Sequence, residues 1–196
     1  PYYVNRCAEL LQGSGVLPST VIGFPHGGQT TSTKIAESER AIADGAIELD
    51  MVINISAALS GRWQYVSDEI KAIVGLAHAH QRQVKVIFEN CYLTDDQKQQ
   101  LCEICCEIGA DWIKTSTGFG TTGATMPDLE LMLAHRKLPT QVKAAGGVRD
   151  LETLLKVREM GVSRVGASAT PAILDPARQQ LGLEPVEHQT NAGETG

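Results

Sequence analysis

The sequence has no run of basic residues and no apolar stretch long enough to span a bilayer. It also has no cluster of histidine, aspartate or glutamate residues at metal-ligand spacing. Each absence narrows the function. With 17 Lys and Arg against 23 Asp and Glu, the formal net charge is −6. That balance argues against nucleic acid or an anionic membrane as the main partner. The start carries no signal-peptide pattern, so a soluble cytoplasmic protein is the expectation. Cysteine is sparse and clustered: Cys7, Cys91, Cys102, Cys105 and Cys106. Cys102 and Cys105 have a redox or metal spacing, but no second Cys or His pair accompanies them. They fall inside a helical pattern with Leu101, Ile104 and Ile108, which reads as small core-type side chains on a helix. Three thiols in one helical segment also fit a reducing compartment.

What is present is an alternation of strands and helices. Strands are expected over 20–24, 46–53, 84–89, at Lys114, over 141–145 and over 164–168. Helices are expected over 1–11, 33–44, 65–82, from the Thr94 capping box to Gly109, around Pro127, over 151–160, and from Asp175-Pro176 to about 181. Short connections between alternating elements mean a parallel α/β fold. The 196 residues suffice for one domain with a sizeable core. Residues 1–182 form that domain, and the polar stretch 183–196 reads as a disordered tail.

The informative residues are charges inside strands. A parallel strand covered on both faces is normally an unbroken apolar run. Here Lys114 sits in one strand and Lys143 in another, each followed by a glycine turn. Either lysine alone reads as a snorkelling surface residue; the pair reads as chemistry. Glu48 and Asp50 share one face of a further strand, and buried carboxylates are costly unless paired. Asp50 is expected to serve the lysines and Glu48 to bind backbone at the strand end. Lys85 starts its strand and is expected to be structural, away from the catalytic end. A doubly wound sheet would not accommodate inward charges, whereas a barrel interior does, so the α/β fold expected is a (β/α)8 TIM barrel.

An amine attacks a carbonyl only when unprotonated, and a free lysine titrates near about 10.4. A second ammonium and desolvation both disfavour the charged form. Two lysines and an aspartate therefore make a coherent Schiff-base set. Bare glycine amides at Gly146, Gly147 and the turn through Ser168 suit a phosphate. The glycines from Gly118 to Gly123 match G-x-G-x-x-G, but no acidic strand end follows at the distance a dinucleotide site needs.

These residues carry a resemblance. Segments 21–27 (VIGFPHG), 48–54 (ELDMVIN), 85–89 (KVIFE), 114–119 (KTSTGF), 143–149 (KAAGGVR) and 164–168 (RVGAS) together resemble the deoxyribose-phosphate aldolases. These are class I aldolases on a (β/α)8 barrel. The likeness runs from Pro1 to about 181. It implies Lys114 as the Schiff-base lysine, Lys143 as its perturbing neighbour and Asp50 in proton transfer. It also implies Gly118, Gly146, Gly147 and Ser168 at the phosphate end. It implies phosphorylated sugar and aldehyde substrates, no metal or organic cofactor, and leaves room for a homodimer. Two departures stand out. Ala169 replaces a second serine, which would remove one phosphate hydrogen bond. Residues 1–4 resemble the segment after the second barrel strand, so about six of eight strands are expected. A non-catalytic or differently specific phosphosugar-binding barrel, and a nucleotide-binding oxidoreductase using residues 118–123, are the competing readings.

Overall fold

The computed structural model describes residues 1–186. Six parallel strands follow one another in chain order, β1 Ser19–Ile22, β2 Glu48–Val52, β3 Gln83–Ile87, β4 Trp112–Lys114, β5 Gln141–Ala145 and β6 Arg164–Gly166. Each pairs in parallel with the next. Helices precede, connect and follow them: α1 Val4–Leu10, α2 Thr31–Ala43, α3 Ile55–Leu59, α4 Trp63–Ala79, α5 Asp95–Ile108, α6 Met126–His135, α7 Leu151–Glu159 and α8 Thr170–Gln180. The sheet curls. Neighbouring strands lie about 4.8 Å apart, so four spacings in a flat sheet would separate β2 and β6 by roughly 19 Å. Yet Arg164 of β6 reaches Glu48 of β2 at 2.6 Å. The chain forms an arc of a TIM-type barrel with six strands in it.

Local chemistry sets the helix ends. Thr94 and Gln97 form a reciprocal capping box at α5, which stops at Gly109 in the left-handed region, φ 83. Asp150 caps α7 through the Thr153 amide. One expected start is wrong. The last helix begins not at Asp175-Pro176 but at Thr170, where Pro171 occupies the first turn, and Pro176 lies inside it. Both prolines suit a first turn, and the earlier one takes it. Residues 183–186 fold back on α8, where Val186 N donates to Asp175 Oδ1 at 2.9 Å. The rest of the expected tail, 187–196, lies outside the described residues.

The apolar core fills the space between sheet and helices. Leu49, Met51, Val84, Val86, Ile113 and Val142 are buried against Ile70, Ile73, Leu101 and Met132 of the helices. Each such side chain contributes about 1.5–3 kcal/mol. Cys102 and Cys105 belong to this layer as expected, and burial pushes the Cys102 thiol up to about 12. Among the described residues no helix is long and apolar enough to cross a membrane.

One feature of the helical layer had no signal in the sequence. Lys34 of α2 is fully buried, with Nζ 2.9 Å from Glu69 Oε1 of α4 and donating to Val52 O at 2.7 Å. Glu69 in turn accepts from Asn54 N at 2.9 Å. The pair ties two helices to the end of β2. Burial pushes Lys34 down and Glu69 up, and their mutual attraction opposes both shifts. Removing one member leaves the other charge buried and unpaired. Lys34→Met is therefore expected to cost about 3–5 kcal/mol, and Lys34→Met with Glu69→Leu to recover most of it. Denaturant melts of the two variants check this.

Candidate active site

Alternation along the strands sends Glu48 and Asp50, Lys85, Lys114, Lys143 and Arg164 to the inner side of the arc. Parallel register aligns them: Asp50 with Lys85, Lys114 with Lys143, and Lys143 with Arg164. The result is two linked layers. In the upper one, Asp50 Oδ2 accepts from Lys114 Nζ at 2.7 Å and from Lys143 Nζ at 3.0 Å. In the lower one, Lys85 Nζ donates to both Asp50 Oδ1 and Glu48 Oε2 at 2.7 Å. Arg164 clamps Glu48 and lies 4.3 Å over the Trp112 ring.

Two expectations change here. Lys85 is not remote from the chemistry, because it sits in mid-strand and fully buried, bridging both carboxylates. Glu48 does not bind backbone at a strand end but holds Lys85 and Arg164. Strand parity shows which face a residue takes, but register decides which neighbour it meets.

Burial alone would raise the Asp50 carboxyl. The charges of Lys114, Lys85 and Lys143 outweigh it and hold the group well below the usual carboxylate range. Burial likewise opposes the lowering of Glu48, and hydrogen bonds from Lys85 and Arg164 prevail. Lys143 moves down: burial is the largest cause, with Lys114 and Lys85 adding repulsion against the pull of Asp50. So Asp50 is an acceptor that does not take up a proton near neutrality, and Lys143 is an amine that loses its proton below the ordinary lysine range.

A cavity of about 570 Å³ opens above this layer. Lys114 and Lys143 form its floor. Gly118, Gly146, Gly147 and Ser168 all line it, as do Thr117, Thr121, Thr122 and Arg149. Asp50 lies beneath the floor. The glycine loop after β4 is built for close packing. A Cβ at Gly123 would sit 2.5 Å from the Gly146 carbonyl carbon, and one at Gly120 would sit 2.6 Å from Cys91 Sγ. These glycines fit two turns together, which accounts for a G-x-G-x-x-G spacing without a nucleotide. Thr117 and Arg149 had gone unassigned, although both stand in segments with quoted glycine turns.

A sequence profile of the DeoC/LacD family aldolases matches residues 3–174. The chain belongs to this aldolase family. A deoxyribose-phosphate aldolase of Rhodopirellula baltica is 60% identical over 187 residues, covering 95% of this chain and 78% of the relative. Another from Thermococcus gammatolerans is 46% identical, covering 91% and 80%. Among solved structures, one titled QR15, an aldolase, superposes with a TM-score of 0.86 at 39% identity, covering 94% and 82%. The tetrameric deoxyribose phosphate aldolase of Aeropyrum pernix gives 0.83 at 30% identity, covering 92% and 76%. The expected family and barrel class hold, and the aldolase is a lyase-type enzyme.

The acid limb of stability follows from the two lowered carboxyls. Their ionised forms stabilise the fold above the ordinary carboxyl range, near about pH 4, and that contribution is lost as pH falls through the lower folded values. Lys85→Met removes the cation both carboxylates share. Its acid-unfolding midpoint is expected at higher pH than that of the unsubstituted aldolase, with about 3 kcal/mol less stability at neutral pH. Circular dichroism against pH and denaturant checks both.

Proposed function

We propose that this aldolase cleaves 2-deoxy-D-ribose 5-phosphate reversibly to acetaldehyde and D-glyceraldehyde 3-phosphate through a Schiff base on Lys114. The observation that carries the reading is the single Asp50 oxygen shared by Lys114 and Lys143 beneath a glycine-lined cavity. Two ammonium groups on one oxygen repel by roughly 3 kcal/mol at an effective dielectric of about 20. One amine of such a pair is driven to shed its proton, and a neutral amine is what a carbonyl requires. The lowered pKa of Lys143 supports it as the base beside the nucleophile.

Neutral Lys143 takes a proton from Lys114, whose amine adds to the C1 aldehyde of the open-chain sugar; that proton leaves with the carbinolamine hydroxyl as water, giving an iminium and restoring neutral Lys143. The neutral Lys143 amine, oriented by Asp50, accepts the 3-hydroxyl proton, directly or through water. The C2–C3 bond breaks, its electron pair moves into the iminium, and D-glyceraldehyde 3-phosphate departs. The resulting enamine takes that proton back at C2 from Lys143, directly or through water. Water then releases acetaldehyde and restores the Lys114 amine. Asp50 stays ionised throughout, as its depressed pKa supports, and serves as the fixed acceptor between two proton carriers. Gly118, Gly146, Gly147 and Ser168 bind the phosphate in this reading. The uncapped first turn of α8, directly after Ser168, supports that placement: Ala169 offers no side-chain oxygen, so the helix amides remain for an anion. The reaction serves deoxyribose phosphate catabolism in the cytoplasm, within one barrel domain over 1–182.

Incubation with acetaldehyde and borohydride, followed by peptide mapping, tests the nucleophile. Ethylation of Lys114 is expected and is abolished in Lys114→Ala; ethylation of Lys143 alone would reverse the assignment. Lys143→Met tests the base. Turnover rises with pH as Lys143 becomes neutral, so the variant should lose activity at pH 7. The pH-dependent limb of turnover that Lys143 supplies should disappear with it. An unchanged profile at full rate would make Lys143 a bystander.

A further inference from the structure

Glu89 has no part in the chemistry described so far, yet three observations single it out. It is buried, at 2% exposure. It lies two residues beyond the end of β3 and adopts the left-handed conformation, φ 59 and ψ 61, which side chains bearing a Cβ rarely occupy. Its carboxylate faces the loop that follows Lys114. Oε1 accepts from Thr117 N at 3.2 Å, and Oε2 accepts a short hydrogen bond from Thr117 Oγ1. No cation pairs with it among the described residues. The loop is pressed onto it: a Cβ at Gly120 would lie 3.1 Å from the Glu89 carboxyl carbon.

We infer that Glu89 is a positioning residue that orients the Thr117 hydroxyl toward the sugar. The inference rests on the Schiff-base reading above. A threonine hydroxyl has one hydrogen to donate and two lone pairs to accept with. Thr117 Oγ1 donates to Glu89 Oε2, so the Thr117 hydrogen is committed to Glu89. One lone pair is committed as well, since Phe119 N donates to Thr117 Oγ1 at 3.0 Å. Thr117 lines the cavity. What it offers a ligand there is a single acceptor site. It therefore receives a hydrogen bond from a hydroxyl of the substrate and has nothing to give a phosphate oxygen. The Thr117 side chain reads the polyol part of the sugar, and the anion goes to the backbone of Gly118, Gly146 and Gly147 and to Ser168. The strained backbone at Glu89 holds the carboxylate where the hydroxyl needs it.

Glu89→Gln tests this. The amide keeps the shape but places an NH2 or a single oxygen where two acceptors are needed. Cleavage of 2-deoxyribose 5-phosphate is expected to fall by roughly tenfold to a hundredfold in kcat/KM, the loss of one or two charge-assisted hydrogen bonds. Borohydride trapping of acetaldehyde, which carries no hydroxyl, is expected to stay at the unsubstituted rate. Wild-type sugar cleavage would overturn the inference. So would an equal loss of cleavage and trapping in a folded variant, the pattern of a general structural role. If Glu89→Gln does not melt cooperatively, Thr117→Val removes the same contact from the other side and must show the same split; full sugar cleavage in it would overturn the inference. If the unsubstituted protein traps no aldehyde, the Schiff-base reading fails. Calorimetric binding of 2-deoxyribose 5-phosphate then decides, and equal affinity in Glu89→Gln would overturn the role of Glu89.

Discussion

One carboxylate governs the interior. Asp50 receives Lys85 on one oxygen and Lys114 and Lys143 on the other. Without it, three ammonium groups would share a space that water barely reaches, at a cost no apolar layer of this size offsets. With it, the charges become a scaffold. β2, β3, β4 and β5 are bound to a common centre, and the curl of the sheet is the shape that lets their side chains meet. Glu48 repeats the arrangement one layer down, with Lys85 as the shared member and Arg164 closing the far side. The two carboxylates face four cations, so the layer under the cavity carries a positive excess. That excess suits an anionic sugar phosphate, and it is also what drives one amine to lose its proton.

The cavity has a division of labour that follows from its walls. The floor is charged and rigid, because each lysine is fixed by a carboxylate in the strand register. The rim is backbone. Gly123 and Gly146 approach too closely for any side chain between them, so the turn after β4 and the turn after β5 act as one body. Thr117 stands at the junction of floor and rim, one residue before Gly118 and two strands' reach from Ser168.

How much of this could be read in the sequence depends on which physical rule applied. Lys114, Lys143 and Asp50 were legible because a charge in a parallel strand violates an expectation, and alternation then assigns its face. Glu48 was placed on the correct face but with the wrong partner, and Lys85 was set apart from Asp50, since a single strand's pattern contains no register. Lys34 and Glu69 were illegible. On a helix, lysine and glutamate are ordinary surface residues, and only the packing of α2 on α4 turns these two inward. The start of α8 was misread because two prolines competed for one helix start and sequence alone offers no way to rank them. Glu89 was expected inside the strand 84–89, whereas β3 stops at Ile87 and Glu89 takes a left-handed backbone that alternation along a strand does not foresee.

The Glu48–Arg164 contact spans 116 residues of chain. It has a consequence for the order of assembly. During synthesis, Glu48 and Lys85 exist long before Arg164, and β2 and β3 can pair while the far side of the arc is unmade. Closing so long a loop carries a large entropic penalty and is a late event. Until it happens, Glu48 has Lys85 alone as its cation. The charges beneath the cavity thus bear on assembly as well as on the site: Glu48 gains its second cation only once the chain through β6 has been made.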